Sequence, residues 1–438
     1  MTAAVTIVGG GFAGVEAAWQ AAERGLDVAL YEMRPVRSTP AHKTGDLAEL
    51  VCSNSFKAEA LTTASGLLKA ELRALGSFIL QVADAHRVPA GLALAVNRED
   101  FAREVTRRID SHPRILIVRE EVETIPPGDP IIVATGPLTS SSLARDLARI
   151  TRQEYLYFYD SISPIVDGET LDYDRGFFAS RYGKGGQDGY LNIGMEKGEY
   201  RAFRQALLEA EKVPLHDFEE PKYFEGCLPI EVLAERGEKT LAFGPMKPVG
   251  LRDPHTGRSY HAVVQLRREN TAGSAYNLVG FQTKLTYPEQ KRVFRTLPGL
   301  ERAVFFRYGT VHRNTFLNAP KLLSPSLQMR DLPRLFVAGQ ITGVEGYLES
   351  AAMGLLAGLN AAARVGGRTL PAPPATTALG TLVAYITQAD PNHFQPVNIH
   401  YGLLPPAPNK GSREDRRHRV AERALKDLEQ WRKTLPLD

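Results

Sequence analysis

Cysteine is scarce in this chain: there are two among 438 residues, Cys52 and Cys227. Their separation of 175 positions has none of the paired spacing of metal-binding motifs, which argues against a disulfide scaffold and against a metal site. No apolar run approaches the roughly 20 residues of a membrane span, so we expect no membrane insertion. The opening residues predict a strand at once and leave no room for a secretory signal, so a cytoplasmic location is the simplest expectation.

Net charge is also small, at +3, but it is distributed unevenly. Between Lys247 and Arg334 there are fifteen Lys or Arg and five Asp or Glu, a local net charge of +10, so the rest of the chain sums to −7. A local basic excess is what binding to a nucleic-acid backbone needs. A solvated basic face without a partner accounts equally well for the composition.

What the sequence does have is a dinucleotide-binding pattern at its start. AVTIVGGGFAGVEAAWQAAERGLDVALYE predicts a strand, a glycine turn, a helix and a second strand that ends at Glu32. In the G-x-G-x-x-G motif the first glycine permits the turn, the second lets the backbone approach a pyrophosphate, and the third allows close helix–strand packing. The helix N-terminus attracts the pyrophosphate, and Glu32 can accept hydrogen bonds from a ribose. The predicted cofactor-binding residues of this unit are Gly9, Gly10, Gly11, Phe12, Ala13, Gly14 and Glu32.

Two later segments complete the predicted cofactor site. The strand in DPIIVATG ends in an Ala-Thr-Gly triplet, which resembles the second nucleotide contact of flavoproteins with two dinucleotide sites. PRLFVAGQITGVEGYLESAAMGLLAGLNAA predicts a strand, a glycine-bearing loop and a long helix of small residues. In flavoproteins such a unit closes over the flavin, and the helix N-terminus stabilises the reduced anionic flavin. The FAD contacts predicted here are Ala134, Thr135, Gly136, Gly339, Gln340, Gly343 and Gly346.

Changes in composition and hydrophobic pattern divide the chain into three parts. The middle part is rich in Gly and polar residues and alternates with period two in YHAVVQLRR and AYNLVGFQTKL. We predict an α/β fold: a Rossmann-like, glutathione-reductase-like FAD-binding domain with an inserted α+β domain. The predicted parts are residues 1–165 (first part of the FAD-binding domain), 166–310 (inserted, substrate-facing domain) and 311–438 (closing part with a mixed-charge C-terminal helix).

Several stretches carry a more specific resemblance: EMRP, TPAHKT, ELVCSNSF, RVPAGLALAVNRE, GCLPIE, FGPMKPVGL and VEGYLESAAMGLLAGLNAA. Together they resemble the folate- and FAD-dependent tRNA (uracil-5-)-methyltransferase family, TrmFO. The resemblance runs from the first strand to the closing helix and beyond. The related GidA (MnmG) flavoproteins share the flavin half but are typically longer, with an extra C-terminal helical region.

The resemblance implies an enzyme that makes 5-methyluridine (ribothymidine) at position 54, in the T loop of tRNA. NADH or NADPH would reduce the FAD, and the one-carbon unit of methylenetetrahydrofolate would pass through flavin N5 to uracil C5. The implied partners are tRNA and folate, with no obligatory protein partner. The target base must leave its loop to react, and the basic stretch from Lys247 to Arg334 is the candidate for the tRNA backbone.

The resemblance also gives both cysteines a role. A thiolate that adds to uracil C6 turns C5 into a nucleophile, and a second group must then remove the C5 proton. We expect Cys227 to be the C6 nucleophile and Cys52, beside the flavin, to act as base or to shield the site; the reverse assignment is open. Lys57 and the basic middle domain are candidates for stabilising a thiolate. Further predicted substrate contacts are His312, Arg313 and Tyr347.

Three other functions remain as alternatives. A flavin-dependent thiol oxidoreductase would use Cys52 and Cys227 as a redox pair, although such pairs are usually close in sequence. An RNA-binding protein would keep FAD as a structural element. A GidA-like enzyme would modify the wobble uridine of tRNA and would need a partner protein.

Overall fold

The computed structural model describes residues 3–153, 156–183, 189–214, 228–408 and 411–435, and it describes only the backbone of residues 156–161 and 312–313. The strands are β1 Val5–Val8, β2 Val28–Tyr31, β3 Ser55–Ala58, β4 Arg87–Val88, β5 Ala93–Val96, β6 Ile115–Val118, β7 Ile131–Val133, β8 Leu156–Ser161, β9 Ile165–Asp167, β10 Gly176–Ala179, β11 Tyr190–Met195, β12 Ala262–Arg268, β13 Ala275–Leu278, β14 Phe305–Arg307, β15 Val311–Phe316 and β16 Leu335–Val337. The α-helices are α1 Phe12–Ala22, α2 Ala64–Ala74, α3 Phe78–Ala85, α4 Arg98–Asp110, α5 Ser141–Thr151, α6 Lys197–Glu209, α7 Ile230–Glu235, α8 Thr240–Phe243, α9 Tyr287–Phe294, α10 Ala319–Leu322, α11 Tyr347–Val365, α12 Ala378–Gln388 and α13 Arg413–Arg432. None of the helices in these ranges is long and apolar enough to cross a membrane.

A five-stranded parallel sheet organises the first part of the molecule, in the order β16-β7-β1-β2-β6. Its inner strands are short apolar runs, VTIV in β1 and IIV in β7, because both faces of a parallel sheet are buried. β1 pairs with β2 on one side and with β7 on the other, and β7 pairs with β16. The carboxyl ends of these four strands therefore lie side by side, and the predicted cofactor segments follow them.

Helices α1 and α11 pack closely because small residues line their contact. A Cβ atom on Gly354 would lie 2.2 Å from the carbonyl oxygen of Ala13, and one on Gly358 would lie 2.7 Å from that of Ala17. The first residues of the two helices, Phe12 and Tyr347, stack with ring centroids 4.6 Å apart. The packing thus places both helix N-termini at the same edge of the sheet.

An antiparallel six-stranded sheet organises the second part, in the order β10-β11-β12-β13-β9-β14. Its apolar cluster draws on residues 166–303, whereas the cluster around the parallel sheet draws on residues 5–147 and 316–435. The chain passes between the two parts through β8 and β15, which pair with each other. The division at residues 166 and 310 stays a prediction, and the two separate clusters are the feature that favours it.

Some sequence predictions differ from the structure in detail. Alanines and leucines at helical spacing predict helix over most of residues 57–87. The structure has two helices there, because Gly76 adopts a φ of +76° and Ser77 caps the next helix by accepting from the amide of Leu80. AYNLVGFQTKL is a strand only over β13, since Gly280, with a φ of +80°, turns the chain. RILIVREEVETI also suggests strands, but only the four residues of β6 form one.

The predicted mixed-charge helix is α13, and several of its arginines bind the protein's own backbone. Arg417 donates to the carbonyl of Thr62 (3.1 Å) and lies over the ring of Tyr401. Arg419 and Arg423 donate to carbonyls of the Pro-rich segment that precedes the helix. These side chains hold that segment in place, which gives the basic face of α13 a structural role.

Candidate cofactor and catalytic site

A cavity opens at the carboxyl end of the parallel sheet, and most of the predicted cofactor residues line it. The predicted residues in its wall are Gly9, Gly10, Gly11, Phe12, Ala13, Glu32, Ala134, Thr135, Gly136, Gly339, Gln340 and Tyr347. They come from four separate segments that follow β1, β2, β7 and β16. Ligands of open α/β sheets bind at this edge, outside the carboxyl ends of the strands.

The glycines of the first motif have different reasons to be glycine. Gly9 has a φ of +107°, and a Cβ on it would lie 2.5 Å from the carbonyl oxygen of Ala134. A Cβ on Gly14 would lie 1.7 Å from the carbonyl oxygen of Gly9, so Gly14 serves packing and does not line the cavity. A Cβ on Gly11 would meet nothing within 4 Å. The protein itself therefore requires Gly9 and Gly14, whereas the space in front of Gly11 suits a ligand.

The cavity fits the pyrophosphate and ribose of a dinucleotide. Gly11 precedes α1, and no side chain caps this helix N-terminus. Its first amide groups and the positive end of the helix dipole can therefore bind a phosphate. These features match the pyrophosphate cradle of FAD.

Glu32 is fixed as an ionised acceptor. Its Oε2 accepts from the amide of Gly10 (2.9 Å), and its Oε1 accepts from Nε of Arg34 (2.9 Å). Burial alone would raise the pKa of the Glu32 carboxyl, but the hydrogen bonds and charge of Arg34 outweigh it, and the net pKa is lowered. An ionised carboxylate accepts hydrogen bonds and does not donate them, which suits the ribose hydroxyls of the predicted cofactor.

A polar loop after β2 adds residues that the sequence analysis did not single out. His42 lines the cavity, and its Nδ1 lies 2.6 Å from Oγ1 of Thr39. Burial and the charge of Arg34 lower the pKa of His42 to about 4, so the imidazole is neutral at pH 7. Glu49 accepts from Arg34 and from the amides of residues 43 and 44, which fixes the loop. TPAHKT, which contains Thr39 and His42, contributes only to the family resemblance in the sequence, because no known motif assigns such a loop a role.

Two predicted cofactor glycines lie next to the cavity without lining it. Gly343 has a φ of +89°, and a Cβ on it would lie 2.4 Å from the ring of Phe394. Gly346 precedes α11 and has a φ of +117°. Both shape the loop that carries Tyr347, and their direct contact with FAD stays a prediction.

Cys52 is half-buried and lies in a loop that several distant residues hold. Its amide donates to the phenol oxygen of Tyr347 (2.7 Å), which itself lines the cavity. Arg98 donates to the carbonyls of Leu50 and Cys52 and pairs with Glu269 (2.8 Å). The thiol loop is thereby fixed beside the predicted flavin site.

The inserted domain supplies a second set of contacts to this loop. Arg267 on β12 donates to Oγ of Ser53 (2.8 Å) and to Oδ1 of Asn54 (2.6 Å). The amide nitrogen of the Asn54 side chain donates in turn to the carbonyls of Val96 and Arg268, each at 3.0 Å. Both halves of the molecule therefore position the residues that follow Cys52.

The charges around Cys52 add to the predicted candidates for its activation. Nζ of Lys57 pairs with the fully buried carboxylate of Glu349 (2.9 Å), much as Arg98 pairs with Glu269. The guanidinium groups of Arg98 and Arg307 both interact electrostatically with Cys52. Arg307 lies in the basic middle segment, the other candidate that the sequence offered. Nearby cations favour a thiolate over a thiol.

Of the three predicted substrate contacts, Tyr347 is the one whose side chain the structure describes. Burial raises the pKa of its phenol, and the charge of Cys52 raises it further, so it remains protonated at neutral pH. His312 and Arg313 lie on β15, opposite residues 160 and 159 of β8, and their side chains fall outside the described residues. Cys227 also lies outside the described residues. The roles predicted for these three residues stay predictions.

The basic stretch from Lys247 to Arg334 is not one surface. Arg267 is only 5% exposed and holds the Cys52 loop. Arg295 and Arg334 donate to backbone carbonyls, and Arg292 pairs with Glu289. The expectation that this stretch as a whole contacts tRNA is therefore wrong for Arg267, because a charge count takes no account of burial, and it stays a prediction for the exposed residues.

The fold and the site define a flavoprotein, with a Rossmann-like FAD-binding domain of the predicted class. A family model described as "Glucose inhibited division protein A" matches residues 4–369. The structure of Aquifex aeolicus GidA in its form II crystal is similar, with a TM-score of 0.70 at 17% identity, over 98% of this chain and 73% of that one. This likeness confirms the predicted fold class.

Sequence relatives narrow the family. A Geobacter sulfurreducens protein is 59% identical over 99% of this chain and 100% of its own length. A Heliobacterium modesticaldum protein is 57% identical over 98% of this chain and 97% of its own. Both are named methylenetetrahydrofolate–tRNA-(uracil-5-)-methyltransferase TrmFO. The chain belongs to the TrmFO family within the wider GidA group, as its sequence motifs predicted.

Proposed function

We propose that the protein transfers the one-carbon unit of methylenetetrahydrofolate to C5 of the uridine at position 54 of tRNA, making 5-methyluridine with NADH or NADPH as reductant. The observation that carries this proposal is the attachment of the Cys52 loop to the cofactor cavity through Tyr347. It brings a half-buried cysteine beside a dinucleotide cradle, which a methyltransferase that combines flavin and thiol chemistry requires. Full-length identity to proteins named for this reaction supports the choice of substrates.

Different residues of this chain bind the cofactor and carry out the two thiol steps. The glycine motif and Glu32 hold the FAD, which when bound supplies two electrons and a carrier for the one-carbon unit. Cys227 adds to uracil C6 as the nucleophile, and Cys52, facing Arg98 and Arg307, takes the proton from C5. Tyr347 holds the Cys52 loop against the cavity. The reaction takes place in the cytoplasm, where tRNA is available.

The test is transfer of label from methylenetetrahydrofolate to RNA by the purified protein alone. T-arm minihelix RNA carries uridine or cytidine at the target position, and NAD(P)H is supplied. We expect label only in the uridine RNA, with transfer lost in Cys227→Ala and reduced at least a hundredfold in Cys52→Ala. NAD(P)H oxidation without label in any RNA would contradict the proposal.

Two further measurements separate the alternatives. Label that enters an anticodon stem-loop with wobble uridine only when cell extract supplies a partner protein, with none in the T-arm RNA, would indicate the GidA-like reaction that the wider family model leaves open. Uptake of four electrons rather than two in an anaerobic titration would indicate a redox-active cysteine pair.

A further inference from the structure

One surface of the inserted domain combines exposed aromatic and basic side chains. Tyr182 and the loop from Phe243 to Arg252 form it, and we call it the aromatic–basic face. Tyr182 is 66% exposed, Phe243 75% and Val249 52%. Tyr182 and Val249 line one groove, and exposed apolar side chains that adjoin in this way mark a binding surface.

The cations of the aromatic–basic face have no acidic partner among the residues that the structure describes. Lys247 and Arg252 are exposed, and neither side chain makes an ion pair or hydrogen bond with the described residues. The neighbouring acid, Asp253, is 7% exposed and accepts from the Thr256 hydroxyl (2.7 Å) and the Tyr260 hydroxyl (3.0 Å). Its carboxylate is therefore turned into the loop, and the face presents positive charge.

Hydrogen bonds to backbone carbonyls join the two segments of the face. Arg181 donates to the carbonyls of Lys247 and Val249, each at 2.7 Å. The amide of Tyr182 donates to the carbonyl of Gly250 (2.7 Å). A Cβ on Gly250 would lie 2.9 Å from the Tyr182 ring, so the ring rests directly on this glycine. A fixed aromatic ring offers a stacking surface at little entropic cost.

The aromatic–basic face is continuous with the Cys52 loop. Ala179 and Ser180 line a groove beneath Tyr182, and they also line a second groove whose opposite wall contains Ser55 and Lys57. Ser55 begins β3, three residues after Cys52. A ligand on the face can therefore reach the reacting loop without crossing the molecule.

We propose that the aromatic–basic face binds the tRNA beside the target uridine. Tyr182 and Phe243 stack on unpaired bases, and Lys247 and Arg252 contact phosphates, the combination with which proteins recognise single-stranded RNA. Extrusion of the target uridine leaves neighbouring loop bases unstacked and free to bind aromatic rings. This inference rests on the proposed function and adds the surface that receives its RNA substrate.

The test measures RNA affinity by fluorescence anisotropy of a labelled T-arm minihelix at several salt concentrations. Tyr182→Ala should weaken binding about tenfold, and Tyr182→Phe should bind like wild type because it keeps the ring. Lys247→Ala with Arg252→Ala should weaken binding at least tenfold and lower the slope of log affinity against log salt by about 1.5. FAD content and flavin reduction by NAD(P)H should be unchanged in every variant.

The matched control is Arg368→Ala with Lys426→Ala. Both side chains are exposed and unpaired among the described residues, and Arg368 follows the far end of α11, about 28 Å from its N-terminus by helix rise. Unchanged RNA affinity in the Tyr182 and Lys247/Arg252 variants would overturn the proposal. A raised KM for methylenetetrahydrofolate instead of for RNA would assign the face to the folate tail and also overturn it. If the wild-type protein binds the RNA but does not methylate it, the proposed function is contradicted. The RNA affinities of the variants still test the proposed binding face in that case.

Discussion

The two halves of the site are built by different means. The pyrophosphate-binding turn of the dinucleotide cradle is made of backbone groups and glycines within six consecutive positions, Gly9–Gly14, and a Cβ on Gly14 would meet the carbonyl oxygen of Gly9 in the same turn. The Cys52 loop is held by side chains that lie up to 295 residues away, Arg98, Arg267 and Tyr347. A backbone cradle can be read from a short motif, whereas a loop held by distant side chains depends on the whole fold.

The largest effect is expected from Arg98→Met. The Arg98–Glu269 pair is almost entirely buried, and Oε1 of Glu269 already has no partner among the described residues. Removing the arginine leaves a buried carboxylate unpaired, which costs about 3–5 kcal/mol. Urea unfolding measures the loss, and Arg98→Met with Glu269→Met should recover part of it. A loss below about 1 kcal/mol would show that the pair does not hold the loop.

Gly14→Ala should destabilise the protein by about 3 kcal/mol and abolish FAD retention. The new methyl group would lie 1.7 Å from the carbonyl oxygen of Gly9, so the turn has to move. Gly11→Ala is the matched control, since its methyl group meets no protein atom within 4 Å. It should leave the stability of the FAD-free protein unchanged while weakening FAD binding at least tenfold. Equal losses of stability in both variants would remove the distinction between packing and ligand glycines.

Lys69 should make stability depend on pH. Its fully buried ammonium donates to the carbonyl of Ala58 (2.8 Å), and burial lowers its pKa to about 7 in the folded state, against the ordinary value of 10.5. The unfolded chain therefore binds more protons between pH 7 and 10.5, so this contribution to stability falls as pH falls through that window. Between pH 9 and pH 7 the loss should be about 2–3 kcal/mol. Lys69→Met should abolish the difference, and an equal slope in wild type and variant would contradict it.

Arg267→Gln should affect catalysis more than cofactor binding. Losing its bonds to Ser53 and Asn54 frees the Cys52 loop, and we expect kcat for label transfer to fall about tenfold, with FAD affinity and the KM for RNA unchanged. Arg267→Lys should recover part of the rate, because a donor and a charge remain. A change in KM alone would mean that Arg267 serves substrate binding instead.

The smallest effect is expected from Arg175→Ala. The Arg175–Glu199 pair has the same 2.8 Å distance as Arg98–Glu269, but its side chains are 50% and 36% exposed. Exposed pairs contribute less than about 1 kcal/mol because water and salt screen them. Urea unfolding of Arg175→Ala and Arg98→Met therefore compares two ion pairs of equal length that differ in burial. Equal losses would contradict the role given to burial.

The sequence identified many residues that line the cavity, but it did not identify the side chains that hold the thiol loop. Gly9, Gly11 and Glu32 could be predicted because strand, turn and helix are contiguous and their spacing is fixed by backbone geometry. Arg98, Arg267 and Arg307 could not, since nothing in their neighbourhoods distinguishes them from surface arginines. Only the fold brings them against Cys52, and the same burial removes Arg267 from the basic surface that a charge count suggested.

The proposed function requires the dinucleotide cradle to take part in methyl transfer. Converting a methylene group to a methyl group needs two electrons, which come either from NAD(P)H through the flavin or from the folate itself. The decisive measurement is the folate product and the NAD(P)H consumed per methyl group formed on T-arm RNA. We expect tetrahydrofolate and one NAD(P)H per methyl group. Dihydrofolate, formed without NAD(P)H consumption, would contradict it.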